Sequence, residues 1–177
     1  MNATDPRYPI GRFAPPAEVT PAMRGGFIEA IAGLPAAVRA AVQPLGEAER
    51  QTPYREGGWT VAQVVHHLAD SHINAYVRIR LALTEEAPTI KPYDEARWAE
   101  LSDAASPDME ASLRILEGVH QRWTALLRTL APADFARTFV HPKNGLTTVD
   151  RQLALYAWHG KHHLAHVTTL AERMGWA

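Results

Sequence analysis

The chain contains no cysteine, which removes disulfides, thiolate zinc sites and a protein thiol nucleophile together. Any metal it holds must sit on nitrogen and oxygen ligands. Charge of one sign is also missing: 18 basic and 19 acidic residues leave a formal charge of -1. With no basic tract to neutralise a series of phosphates, nucleic acid is not expected as a partner. No apolar run approaches the ~18 to 20 residues needed to cross a bilayer, so no membrane partner is expected either. The N-terminal MNATDPRYPIGRFAPP lacks a basic stretch followed by an apolar one, which points away from secretion and toward a cytoplasmic protein. The HExxH helix of zinc proteases, the GxSxG elbow of serine hydrolases and a glycine-rich phosphate loop are all absent.

What remains is a chain of 177 residues with 46% hydrophobic and 21% charged residues, enough for one domain with a sizeable core. A single helical domain is expected over 1–177, its first residues (1–19) forming a proline-rich arm without periodicity. Alanine-rich, amphipathic FIEAIAGLPAAVRAAVQPL predicts a first helix from Thr20 to about Leu45, bent or split at Pro35. After a loop holding Pro53, Gly57 and Gly58, Thr60 is a natural cap for a second helix from about Val61 to Leu83. A short helical turn is expected at Asp94 to Leu101. Ser106-Pro107-Asp108 reads as the start of a third helix running to about Leu130. Asn144-Gly145 marks a loop tip, and Thr147 or Thr148 caps a fourth helix that runs to Met174 and stops before Gly175. Four long helices with no convincing strand pair predict an all-α four-helix bundle.

Histidine is the anomaly: there are nine, and seven fall in two clusters, at 66–72 and 159–166. At ~100° per residue, Val149, Leu153, Tyr156, Gly160, Val167, Ala171 and Met174 form the inward stripe of the fourth helix, and His163 lies on it. His159 and His166 fall on one shoulder, and His162 falls further round toward solvent. His159 and His163, four residues apart, can aim at one point. In the second helix His72 sits near the middle of the apolar stripe with His66 and His67 on opposite flanks, and the angular count leaves the choice among them open. Three imidazoles from two helices around one cation would leave a fourth position for water or substrate, the arrangement of catalytic rather than structural zinc.

The segments YPIGRF, TPYREGGWTVAQVVHHLADSH, LTEEAPTIKPYDE, HQRWTALLRTL and LYAWHGKHHLAHVTTLAERMGW resemble the DinB/YfiT-like family, and within it the YfiT-type metal-dependent hydrolases, over nearly the whole chain. The resemblance implies a four-helix bundle that forms a homodimer and holds one divalent ion per subunit, zinc or nickel, on three histidines. Its first ligand follows the tryptophan of GGWT by eight positions and lands on His67; the others, first and fifth in HGKHH, land on His159 and His163. Some relatives are linked to transfer of low-molecular-weight thiols, in the manner of a bacillithiol transferase. The expected function is therefore metal-dependent hydrolase or thiol S-transferase, the ion activating water or a small thiol against a small-molecule electrophile. A non-catalytic metal- or small-molecule-binding helical-bundle dimer is the alternative.

His166, His72 and Asp70 are candidates to support the ligands from behind. Arg55 and Tyr54, just before the ligand-bearing helix, are candidates to meet an anionic substrate. Glu117 and His120 have the Glu-x-x-His spacing of di-iron bundles, but no second copy exists and the reading is set aside. The five tryptophans read as core or interface residues, with Trp158 also a candidate pocket wall.

Overall fold

The computed structural model describes residues 5–176. The part of the expected arm at residues 1–4 lies outside this range. From Asp5 to Val19 the chain has no helix or strand, and it lies against the bundle, with the Tyr8 ring 6.2 Å from His162 and the Phe13 ring 5.8 Å from Trp158.

Helix α1 (Pro21–Val42) opens on Thr20, whose hydroxyl accepts the Met23 N–H, with proline in the first turn where a missing N–H is harmless. Contrary to expectation, it runs through Pro35 unbroken. Proline removes the donor that would reach the carbonyl four residues back, that of Ile31, and the Ile31 carbonyl accepts instead from His120 Nδ1 at 2.6 Å. A second correction concerns hydropathy. By length and composition α1 is apolar enough to span a bilayer, with a mean hydropathy of 1.3; in the bundle its stripe Ile28, Ile31, Leu34, Val38 and Val42 is buried against other helices.

A short helix α2 (Glu47–Arg50) precedes α3 (Val61–Thr84), which begins at Thr60 with a reciprocal capping box to Gln63. The expected turn is α4 (Glu95–Trp98), capped by Asp94. Helix α5 (Glu110–Thr129) starts a few residues later than expected, because Ser106 and Asp108 spend their side chains on the N–H groups of Asp108 and Glu110 in the approach to it. Helix α6 (Val149–Met174) is capped by Thr148 and ends at left-handed Gly175, φ 68°.

The structure also contains a small antiparallel hairpin, β1 (Thr138–His141) with β2 (Gly145–Thr148), turning at Asn144-Gly145. It was not expected as a strand pair, since four-residue strands give too short an alternation to read. The hairpin leads directly into α6 and is anchored by Ile90 N–H to the Val140 carbonyl and Val140 N–H to the Pro88 carbonyl.

The four long helices make the all-α bundle that was expected. Helices α1 and α3 each pack on both α5 and α6, so they stand at diagonal corners. Two apolar clusters fill the bundle. One joins Leu34 and Val38 of α1 to Val61–Leu68 of α3, Leu116 of α5 and Val167 and Leu170 of α6. The other joins Ile28 and Ile31 to Ala75, Ile79, Trp123, Leu127, Leu153 and Tyr156. Between them, at the level of residues 66–72, 120 and 159–166, lies a layer of buried histidines.

Candidate metal centre

His67 comes from the first half of α3, and His159 and His163 come from successive turns of one face of α6. One ring nitrogen from each lies within 4.8 Å of those of the other two. His67 Nε2 and His159 Nε2 are 3.3 Å apart, close to the ~3.3 to 3.4 Å between donors that share a tetrahedral ion at ~2.0 to 2.1 Å. A set of three imidazoles without a carboxylate or thiolate fits a borderline divalent cation such as zinc or nickel.

Electrostatics favour the ligand form of each ring. Burial pushes His67 down to about 4, with the neighbouring His166 and His162 acting in the same direction. Burial likewise holds His159 and His163 well below the usual imidazole range, again reinforced by the surrounding histidines. The lone pair that a metal needs is therefore available at neutral pH. Trp59 walls the group, its ring 4.7 Å from His67 and 6.4 Å from His163; the sequence offered it only as a core aromatic.

The angular count could not choose among His66, His67 and His72 for a physical reason. The first turns of α3 are buried nearly all round, from Val61 to Ala69 with Gln63 as the one partly exposed residue, so no single stripe identifies the inward side. His72 is fully buried but stands behind the site: its Nε2 is 3.2 Å from His159 Nδ1 and its Nδ1 is 2.9 Å from His120 Nε2. His120 had been weighed only with Glu117, which instead pairs with Arg39 on the surface. Its signal was present in the α5 spacing, since Leu113, Leu116, His120 and Leu127 share the buried face.

The other histidines separate into roles. His66 ties α3 to the 106–112 segment through Ser112 Oγ and the Ser106 carbonyl, at 2.8 and 2.9 Å. His162, expected toward solvent, is 7% exposed because the arm's Tyr8 and the stacked ring of Trp158, 4.4 Å away, cover it. His166 Nδ1 is 3.3 Å from His163 Nδ1, its Nε2 donates to the Arg7 carbonyl, and its ring stacks on Tyr54 at 4.1 Å. Asp70 makes no hydrogen bond to a ligand ring among the described residues; burial, then Asp103, raises its pKa.

A cleft of about 360 Å³ opens beside His163, lined by Arg7, Tyr8, Tyr54, Arg55, Trp59 and His166 among others. Arg55 and Tyr54 thus stand where the sequence suggested. The Arg55 guanidinium donates to the Glu56 carbonyl and the Tyr54 hydroxyl, which leaves its charge uncompensated by any carboxylate among the described residues.

The pattern of the DinB superfamily matches residues 30–167. A protein of Oceanobacillus iheyensis named "Putative metal-dependent hydrolase" is 51% identical over 170 residues, spanning 96% of this chain and 98% of its own. "Putative metal-dependent hydrolase YfiT" of Bacillus subtilis is 47% identical over 178 residues and covers 100% of both chains. A solved structure described as "YfiT from Bacillus subtilis is a probable metal-dependent hydrolase with an unusual four-helix bundle topology" matches with a TM-score of 0.94 at 47% identity, over 97% of this chain and 99% of that one. Another solved four-helix bundle protein, 21% identical with a TM-score of 0.60 over 82% of this chain and 98% of its own, bears on the fold alone.

Proposed function

The chain belongs to the DinB superfamily, and from that premise and the three-histidine geometry we propose that it is a metal-dependent hydrolase or thiol S-transferase acting on a small-molecule electrophile. His67, His159 and His163 would hold one divalent ion, zinc or nickel. Such an ion supplies Lewis acidity, bringing water or a low-molecular-weight thiol toward its nucleophilic form at neutral pH. The remaining work falls to this chain's own groups. Trp59 shields the ligand rings from bulk water, and Arg55 sets a positive charge at the mouth of the cleft, where a substrate's anionic group would be held. A homodimer and a cytoplasmic location belong to the same proposal on the strength of the family resemblance.

The observation that carries this reading is the cleft against His163: three neutral imidazoles converge, and the space beside one of them, His163, is open. A non-catalytic, purely structural ion would be closed by a fourth protein ligand, and among the described residues the convergent group contains three histidines and no fourth donor.

Elemental analysis of the purified protein beside His67→Ala, His159→Ala and His163→Ala tests the assignment. Near-stoichiometric zinc or nickel in the wild type, lost in each variant, is the expected result. A wild type that takes up neither ion on reconstitution, or metal retained in all three variants, would overturn it.

A further inference from the structure

Resting on the metal-site reading above, we infer that His72, His120 and His166 are positioning residues: each ends or continues a hydrogen-bonded line that starts at a backbone carbonyl and fixes which nitrogen a ligand histidine presents. The long line begins at Ile31. A carbonyl only accepts, so His120 Nδ1, 2.6 Å away, carries a hydrogen and donates it. The neutral His120 ring is then bare at Nε2, which accepts from His72 Nδ1–H at 2.9 Å. His72 in turn is bare at Nε2 and accepts from His159 Nδ1–H at 3.2 Å. At the end of the line, His159 is left with its lone pair on Nε2, the atom that faces His67.

The short line repeats the pattern from the other side. The Arg7 carbonyl accepts from His166 Nε2–H, so His166 is bare at Nδ1 and accepts from His163 Nδ1–H, each at 3.3 Å. His163 is also left with its lone pair on Nε2. Both lines require neutral rings, and the surroundings supply that condition. His72 and His120 are 0% and 1% exposed, and among the described residues no carboxylate is a hydrogen-bond partner of any ring in either line, so an added proton would be an uncompensated buried charge.

Pro35 explains how the long line acquires its anchor. In an uninterrupted helix the Ile31 carbonyl would be taken by the N–H of residue 35; proline has none, and the freed acceptor is the one His120 reaches. A proline that looked like a helix breaker thus fixes, three rings away, the tautomer of a ligand. Ligand histidines in general have their second nitrogen held in this way, most often directly by a carboxylate or carbonyl. Here the holder is a chain of further histidines.

The test begins with the metal-free wild type, labelled with 15N in histidine, in which protonated and bare ring nitrogens are well separated by chemical shift. His72, His120, His159 and His163 are expected protonated at Nδ1 and bare at Nε2. A protonated Nε2 on His159 would overturn the inference whether or not the protein binds metal. A wild type with these tautomers that fails to bind zinc would instead sink the metal-site reading. In the loaded protein, His72→Phe is expected to weaken zinc binding about 10- to 100-fold. His72→Gln, which keeps an acceptor for His159 and a donor for His120, is expected to stay within a few-fold of wild type by about that measure. Equal affinity in His72→Phe and wild type, or equal loss in His72→Phe and His72→Gln, would count against the relay.

Discussion

The two sides of the ligand set are built from different material. On the inner side His72 and His120 are sealed among four helices, every ring nitrogen is hydrogen-bonded, and the line ends on a carbonyl of α1. On the outer side His162 and His166 are covered largely by segments outside the bundle, Tyr8 and the Arg7 carbonyl from the arm and Tyr54 from the loop before α3, with Trp158 of α6 stacked on His162. His162 Nδ1 has no hydrogen-bond partner among the described residues. The inner side is held by the packing that holds the fold, whereas the outer side is held by a few contacts from an arm and a loop. The cleft opens on the outer side, where a substrate would have to enter.

Acid should damage the inner side most. In metal-free protein His120 is held at about 4 by burial, against an ordinary value of 6.5, and His67 and His166 are likewise held at about 4. Between about 6.5 and about 4 the unfolded chain therefore binds protons that the folded chain refuses. Stability present above that window is lost as pH falls through it, His120 alone accounting for on the order of 3 kcal/mol of the loss. Denaturant midpoints across this range should fall steeply, and His166→Gln should recover only its own share, no more than that of His120, and leave the rest of the loss in place. A midpoint independent of pH over the window, or one rescued wholly by His166→Gln, would break the comparison.

A smaller effect is expected from Gly160, which sits between His159 and His163 where α6 meets α1. A Cβ there would collide with Leu34 Cδ2 and lie 3.1 Å from Cδ1. Leu34 is 5% exposed within a packed core and has little room to yield. Overpacking of this kind costs about 1 to 3 kcal/mol, partly offset by the better helix propensity of alanine, worth up to ~1 kcal/mol. Gly160→Ala should therefore lower stability by roughly 1 to 2 kcal/mol in chemical denaturation. Unchanged stability would mean that the close approach of α1 to α6 does not hold the inner side.

The same division governs how much could be read from the sequence. Thr60, Thr148 and Gly175 bound their helices as expected, because a cap is a local device that needs only a few neighbouring residues. The convergence of His159 and His163 was legible from spacing, since residues four apart on one helix meet on the same face. His67 was not legible from spacing, because the start of α3 is enclosed on more than one side, and the family resemblance supplied it. Pro35 was misread as a break because its effect is settled by His120 on another helix, and the hairpin was missed because its strands are only four residues long. The cover over His162 and His166 left no trace in any periodicity. Its residues lie in an arm and a loop with no repeating pattern, 159 positions away in the case of the Arg7 contact.

The smallest energetic effect, and the sharpest separation of the two sides, should come from deleting the chain through Pro9. The deletion removes the Arg7 carbonyl and Tyr8 from the outer histidines, together with an exposed Asp5–Arg7 ion pair that is local to the arm. Because that pair is solvent-screened and residues 5–9 contribute no helix or strand, stability should change by less than about 1 kcal/mol. Reactivity should change far more. Carbethoxylation by diethyl pyrocarbonate, mapped by peptide mass spectrometry on metal-free protein, should leave His162 and His166 slow to react in the full chain and fast in the truncated one. His72 and His120, whose nitrogens are all engaged inside the bundle, should resist in both. If His166 stayed protected without the arm, the cover would have to come from Tyr54 and α6 alone. If His72 or His120 became reactive, the inner side would depend on the arm too, and the two sides would be one unit. Selective exposure of the outer pair at almost unchanged stability is what a site with a fixed back and an adjustable front requires.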